Sequence, residues 1–298
     1  MFSFTQKQKV FRIGGISIGG QPGEYPTVLF GGVFFKGISQ LEEAKKNLDC
    51  MLELSQSTHI PAIPDFFIRY EKDIPSIIDF IISELPSQHP FSVDIIDSHL
   101  KPQVLSNLAK HDLLNRTIYN SIHIGITEKE RKTLHRHPPA MAIILAFNPK
   151  DNSPDGRLEV LENSAHLLNK GLLEISRDAG VEKILIDTAA MAPGENSGAA
   201  IAAIPVIKEE YGLPVGCAIH NVVEKSHWLT SFKKTIVDAS SNALISLFGG
   251  DYALYGPLTL SSSVFPMIAW EDILISEYVE NYFGVQPSNG HPRKRFFP

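Results

Sequence analysis

Four short polar side chains stand where apolar runs of the sequence stop. Asp97 follows FSVDII, Asn120 sits in YNSI, Asp187 ends KILID, and Asn221 follows PVGCAIH. Each has a modest explanation, because Asp and Asn ahead of a helix are good N-caps. Taken together they describe a site. Two carboxyls and two carboxamides offer directional acceptors and donors without a cation, which suits a neutral, flat, hydrogen-bond-rich ligand better than a phosphate or a carboxylate.

Other chemistries find weaker support. A Schiff-base aldolase needs a strand-end lysine, and Lys36 is the only rough fit; it reads more simply as a solvated loop residue. His135 and His137 in HRHPP resemble a metal pair, but an i,i+2 spacing near a helix end does not put both rings on one face, and no third ligand stands nearby. Gly249-Gly250-Asp251 reads either as a phosphate cradle after a last strand or as a tight turn. Cys217 lies inside a strand run and reads as core. His220 reads as a polar rim residue or a packed core histidine, the second being favoured. The loop AMAPGENSGAA opens an Ala-rich helix, with Asn196 or Ser197 as its cap and Glu195 beside them; it serves equally as a ligand-contact loop.

The elements that must position these groups are short apolar strands alternating with amphipathic helices. Candidate strands cover 27–34, 60–67, 91–96, 116–121, 140–147, 183–187, 214–219 and 244–248. Most are continuous apolar runs, as expected of parallel strands covered on both faces. Helical spacing runs through 39–55, 73–85, 158–179 and 263–283. Eight strands followed by helices predict an α/β fold, a TIM (β/α)8 barrel. An open doubly wound sheet is the alternative, but no GxGxxG follows the first strand. Paired glycines in FRIGGISIGGQPGEYP predict an N-terminal β-hairpin cap within 1–26. A single domain is expected over 1–298, with 284–298 as a C-terminal arm carrying the basic cluster HPRKRFF, whose role is solvation or contact between copies.

The 298 residues are 43% hydrophobic and 20% charged, with a net charge of −6, which gives no support to nucleic-acid binding. No apolar run approaches the ~20 residues of a membrane span. The N-terminus lacks an apolar export segment, and Cys50 and Cys217 form no CxxC, so a cytoplasmic location is expected.

The stretch GGQPGEYPTVLFGGVFFKG at 19–37, with DSHL at 97–100 and YNSI at 119–122, resembles the MtrH family of tetrahydromethanopterin S-methyltransferase over most of the chain. Within it the chain looks most like the bacterial methylcobamide:tetrahydrofolate methyltransferases that serve corrinoid-dependent demethylation, such as that of glycine betaine. In the wider group of pterin-binding barrels, Asp, Asn, Asp and Asn at the ends of strands three, four, six and seven hold the pterin. The resemblance therefore implies a pterin site of Asp97, Asn120, Asp187 and Asn221. Glu224 stands where relatives often carry a pterin-contacting Gln. Asn221 would sit beside the reacting N5. The resemblance further implies tetrahydrofolate as methyl acceptor, a methylcobamide (methylcobalamin-type) donor on a separate corrinoid protein, no directly bound metal, and a homodimer. The alternatives are a tetrahydromethanopterin-specific component of a larger complex and a non-catalytic pterin-binding component. A dihydropteroate synthase would need late strand-end cations that the chain lacks, and a barrel isomerase a general base that is not evident.

Overall fold

The computed structural model describes residues 1–34 and 40–297, the side chains of residues 231 and 232 apart. Lys36 lies outside the described residues. The chain opens with an antiparallel hairpin, β1 (Val10–Ile13) and β2 (Ile16–Gly19), in which Ile13 pairs with Ile16. The two residues between them, Gly14 and Gly15, have φ of +52° and +83°. A two-residue turn with both centres left-handed matches the strand twist and favours glycine.

Eight parallel strands then close a barrel: β3 (Val28–Phe34), β4 (Ala62–Phe67), β5 (Phe91–Asp94), β6 (Thr117–Ile122), β7 (Met141–Leu145), β8 (Ile184–Asp187), β9 (Val215–Cys217) and β10 (Tyr252–Pro257). Neighbours follow chain order, and β10 pairs with β3 to complete the ring. Strand side chains alternate between two apolar phases. Those facing out join a large core with the surrounding helices, including Leu29, Phe66, Val93, Tyr119 and Ile144. Those facing in, such as Phe30, Ile63, Ile118, Ile143, Leu185 and Tyr252, fill the barrel. Ile13 and Ile18 of the hairpin join that inner cluster, so the hairpin plugs the end at which the strands begin. The other end, where the strands finish, is open.

Three expected elements are corrected. The run at 244–248 is not the eighth strand: Leu244 to Leu247 end helix α9 (Ser231–Leu247), and the strand is β10. A five-residue apolar run fits either period, and here Ile245 is buried while Leu244 and Leu247 are exposed, as on a helix flank. Gly249-Gly250-Asp251 therefore precedes the last strand, at the closed end. Gly249 and Gly250 donate to the helix-end carbonyls of Ser246 and Ile245. Asp251 pairs with Lys208 at 2.5 Å and accepts from Val215 N, so the segment is a turn and no phosphate cradle at the open end. The 158–179 helix is two, α5 (Pro154–Asn163) and α6 (Leu172–Asp178), because Ser164, Ala165 and His166 take positive φ between them.

The remaining helices are α1 (Leu41–Thr58), α2 (Ile74–Glu84), α3 (Lys101–Lys110), α4 (Glu128–Arg136), α7 (Gly198–Tyr211), α8 (His220–Glu224), α10 (Ser261–Phe283) and α11 (Pro292–Phe296). The stretch Leu258–Phe283 is long and apolar enough to cross a membrane by length and composition, contrary to the sequence expectation. Slightly more than half of its 18-residue apolar window is buried, as in a core helix. In the C-terminal arm, His291 is buried and Phe296 meets the ring of His59 edge-on, so the arm packs back onto the body.

Candidate active site

Inward-facing positions near the C-terminal strand ends line a cup of about 390 Å³. Its polar groups come from four strands and a helix start: Asp65 from β4, Asp94 from β5, Asn120 from β6, Asp187 from β8, and His220 and Asn221 from the start of α8. Phe30, Leu145 and Leu254 form an apolar floor below them. Gly32 and Gly256 leave room on the wall.

Alternation explains the set. Ile63 points into the barrel and so, two residues on, does Asp65; Ser92 precedes Asp94 and Leu185 precedes Asp187 in the same way. Asp94 pairs in register with Asn120 across β5 and β6. Asn120 Nδ2 donates to Asp65 Oδ2 at 3.3 Å, while the buried Asp65 Oδ1 has no protein partner. Asp187 is 5% exposed, and its Oδ1 accepts from Ala189 N at 2.8 Å.

Burial and mutual repulsion set the protonation of these acids. Asp65 is pushed up to about 6 by loss of water, with Ser92 and Asn120 pulling the other way. Asp187 also rises to about 6 through burial, countered by the Ala189 N–H and by Arg157. Asp94 goes furthest, to about 8: burial leads, the Asp65 charge adds to it, and Lys101 opposes. Lys101 is fully buried behind the cup, where Nζ donates to Ser121 O at 2.6 Å and lies 3.5 Å from Glu130 Oε1. Tyr119 Oη donates to the same Glu130 oxygen at 2.7 Å. Burial and then Lys101 hold the His123 imidazole down to about 4, and its Nδ1 accepts from Gly125 N at 2.9 Å.

Of the residues singled out from sequence, Asn120, Asp187 and Asn221 meet in the cup. Asp97 and Glu224 do not line it. β5 ends at Asp94, three residues earlier than the strand-end position expected. Asp97 is exposed and its Oδ1 accepts from His99 N at 2.8 Å, closing a local turn. Glu224 is exposed at the end of α8, with its carboxylate 3.3 Å from Lys234 Nζ. His220 is neither a free rim group nor core: it stands half-buried in the cup wall with Nδ1 3.0 Å from Asp238 Oδ1. Ser197 begins α7 without capping it, and its hydroxyl donates to Ala192 O at 3.0 Å. His135 is exposed, with Nδ1 3.3 Å from Asp178 O. Asp65 and Asp94 stand inside their apolar runs rather than after them, so the ends of the runs pass over both. The signal was present, a carboxylate two residues after an inward apolar or small residue.

Among the described residues lining the cup, none is Lys or Arg. Three carboxyls and two carboxamides in the open end of a parallel barrel can accept hydrogen bonds from N–H donors, at the end of the fold where barrel enzymes carry their sites. The family model for the tetrahydromethanopterin S-methyltransferase MtrH subunit matches residues 6–287. The MtrH protein of Methanosarcina barkeri is 34% identical, with 98% of each chain covered. Its counterpart in Methanothermobacter thermautotrophicus is 33% identical at the same coverage. Among solved structures, Yersinia pestis dihydropteroate synthase with a pterine-sulfa conjugate aligns with TM-score 0.63 at 11% identity, over 91% of this chain and 100% of that one. The Xanthomonas albilineans enzyme in complex with 7,8-dihydropteroate gives 0.59 at 14% identity, over 84% and 93%. These likenesses show the barrel fold. The chain belongs to the MtrH family of tetrahydromethanopterin S-methyltransferase and is a methyltransferase.

Proposed function

We propose that the chain transfers a methyl group between a methyl-Co(III) corrinoid and N5 of a reduced pterin, with tetrahydrofolate as the acceptor. The observation that carries the reading is the convergence of Asp65, Asp94 and Asp187 with Asn120 in one cup lined by neither Lys nor Arg among the described residues. A pterin ring presents ring N–H groups and an exocyclic amine, the donors such carboxylates accept, and a carbonyl that an amide or a protonated acid can meet. Asp187 and Asp94 hold the donor edge, Asn120 a second edge, and Asn221 faces the cup from the rim beside N5. Asp97, expected there from sequence, and Glu224 take no part in this arrangement.

The reaction is a displacement at the methyl carbon, so the protein's task is placement: holding the amine in line with the donor accounts for several powers of ten in rate. The corrinoid arrives on a separate protein that docks over the open end, and in the demethylation direction the Asn221 carbonyl stabilises positive charge developing at N5. Two copies of the chain form a homodimer. The curated relatives' names favour a second reading, tetrahydromethanopterin as the pterin, since it shares the ring and differs in the tail.

The test is turnover of the isolated chain with methylcobalamin and each reduced pterin. Formation of Co(I) and methylated tetrahydrofolate is expected. Methylation of tetrahydromethanopterin alone selects the second reading, and pterin binding without transfer to either refutes catalysis by this chain.

A further inference from the structure

His220 is left without a task by that reading, although its ring forms part of the cup wall. It also borders a neighbouring cavity of about 370 Å³, and it opens α8 directly after β9. Its Nδ1 lies 3.0 Å from Asp238 Oδ1, and Asp238, on α9, is 2% exposed. A carboxylate can only accept, so Nδ1 carries the hydrogen and Nε2, on the far edge of the ring, keeps a free lone pair. Among the described residues none hydrogen-bonds to Nε2. The ring is also packed closely by β10. A Cβ at Gly256 would come within 2.4 Å of the His220 ring, and Gly256 has φ of +99°, so β10 can lie against the imidazole only with glycine there. A histidine that merely satisfied Asp238 would need neither the close backbone nor a place in the cup wall.

We infer that His220 is the general base of the methyl transfer and Asp238 its positioning residue, an inference that rests on the methyl transfer proposed above. The N5 lone pair attacks the methyl carbon; the N5–C bond forms while the Co–C bond breaks and leaves its electron pair on cobalt as Co(I). N5 then bears both methyl and hydrogen with a positive charge, and its proton passes to His220 Nε2, directly or through one water. The imidazolium is held by the Asp238 carboxylate, the arrangement that orients and stabilises the base in hydrolase triads. In the reverse direction the same imidazolium returns the proton to N5 and makes the pterin a leaving group. The charged groups around the ring favour this cycle. Asp65, Asp94 and Asp187 share the cup, Glu43 borders the neighbouring cavity, and Glu224 on α8 is paired with Lys234. His123, the other imidazole on the cup, is a poor base because its burial disfavours the proton.

The experiment pairs tetrahydrofolate titration with single-turnover transfer from methylcobalamin, followed through the cobalt spectrum across pH, for the wild type, His220→Gln and Asp238→Asn. His220→Gln is expected to bind tetrahydrofolate within about threefold of wild type, to transfer methyl about 10²–10⁴-fold more slowly, and to lose the rise in rate with pH. Asp238→Asn is expected to slow transfer at least about tenfold while tetrahydrofolate affinity stays within about threefold, because the ring loses the carboxylate that orients it. A wild-type rate and pH profile in His220→Gln overturns the inference. So does a loss of rate matched by an equal loss of tetrahydrofolate affinity, which makes His220 a pterin ligand. If His220→Gln fails to fold, Asp238→Asn carries the test, and an unchanged transfer rate there overturns it. A wild-type chain that binds no reduced pterin overturns the methyl-transfer reading itself, and the inference with it.

Discussion

The acids of the cup behave as a charge store that a ligand empties of protons. In the free protein Asp94 sits at about 8 and Asp65 and Asp187 at about 6. Donors from a pterin stabilise the carboxylates and draw those values down, so binding releases protons and tightens as pH rises towards that of the free Asp94. Calorimetric titration at neutral pH in buffers of different ionisation heat is expected to show proton release; proton uptake contradicts the account. The same shifts bear on stability. The native acids hold protons that the unfolded chain has already lost, so stability conferred at low pH is lost as pH rises from the unfolded value, about 4, through the native values of about 6 and about 8. Individual contacts can then be ranked. Asp187→Asn and Asp94→Asn each remove a charge-assisted hydrogen bond, and tetrahydrofolate affinity is expected to fall about tenfold to a hundredfold. Asp97→Asn, three residues outside the cup, is expected to leave it within about twofold, since it changes only an exposed turn. Asn221→Ala is expected to lower transfer rate more than affinity, measured by single turnover beside titration; equal losses would place Asn221 in binding alone.

Elements explain why these side chains are where they are. β6 reaches the cup at Asn120, which a cis peptide joins to Ser121, and its register with β7 shifts between Asn120 and Ile122. The fully buried Lys101 of α3 bonds the Ser121 carbonyl there and lies against Glu130 of α4, tying two helices to one strand end. Lys101→Met leaves Glu130 buried without its cation, and chemical denaturation is expected to show a loss of about 3–5 kcal/mol. Little or no loss would show the pair to be dispensable. β8 has a matching tie. The buried Arg157 guanidinium donates to the carbonyls of Thr188 and Ala189 just after Asp187, and to those of Asn152 and Ser153. Neither tie was legible in the sequence, because a buried Lys or Arg looks the same in a string as a solvated one. Strand ends were legible only in part. KILID stops at Asp187, whereas FSVDII continues two apolar residues beyond the strand end, so the end of the run points to Asp97 while the strand brings Asp94 to the cup. Ile96, one of those two, is 73% exposed at the mouth of the cup, which the apolar run gave no reason to expect.

At the scale of the molecule, the barrel was legible because alternating strands and helices follow from hydrophobic period alone. One of the eight runs was wrong, LISLF for YALYGP, since a strand ending in Gly-Pro looks like a turn. The outer surface holds a further consequence. α9 and α10 pack side by side and leave Ile236, Leu244, Leu247, Met267, Trp270 and Leu274 exposed, with Trp270 at 55%. A face of this kind suits the homodimer proposed above. Leu274→Glu is expected to convert a dimer to a monomer in sedimentation, and a wild-type monomer or an unaffected dimer would remove this face from the account. The central claim remains that the acid- and amide-lined cup holds a reduced pterin. Titration of the purified chain with tetrahydrofolate and with tetrahydromethanopterin, beside the Asp187→Asn variant, tests it most directly. Saturable binding of at least one reduced pterin is expected, weakened in the variant. Binding of neither, or binding that Asp187→Asn leaves unchanged, would contradict it.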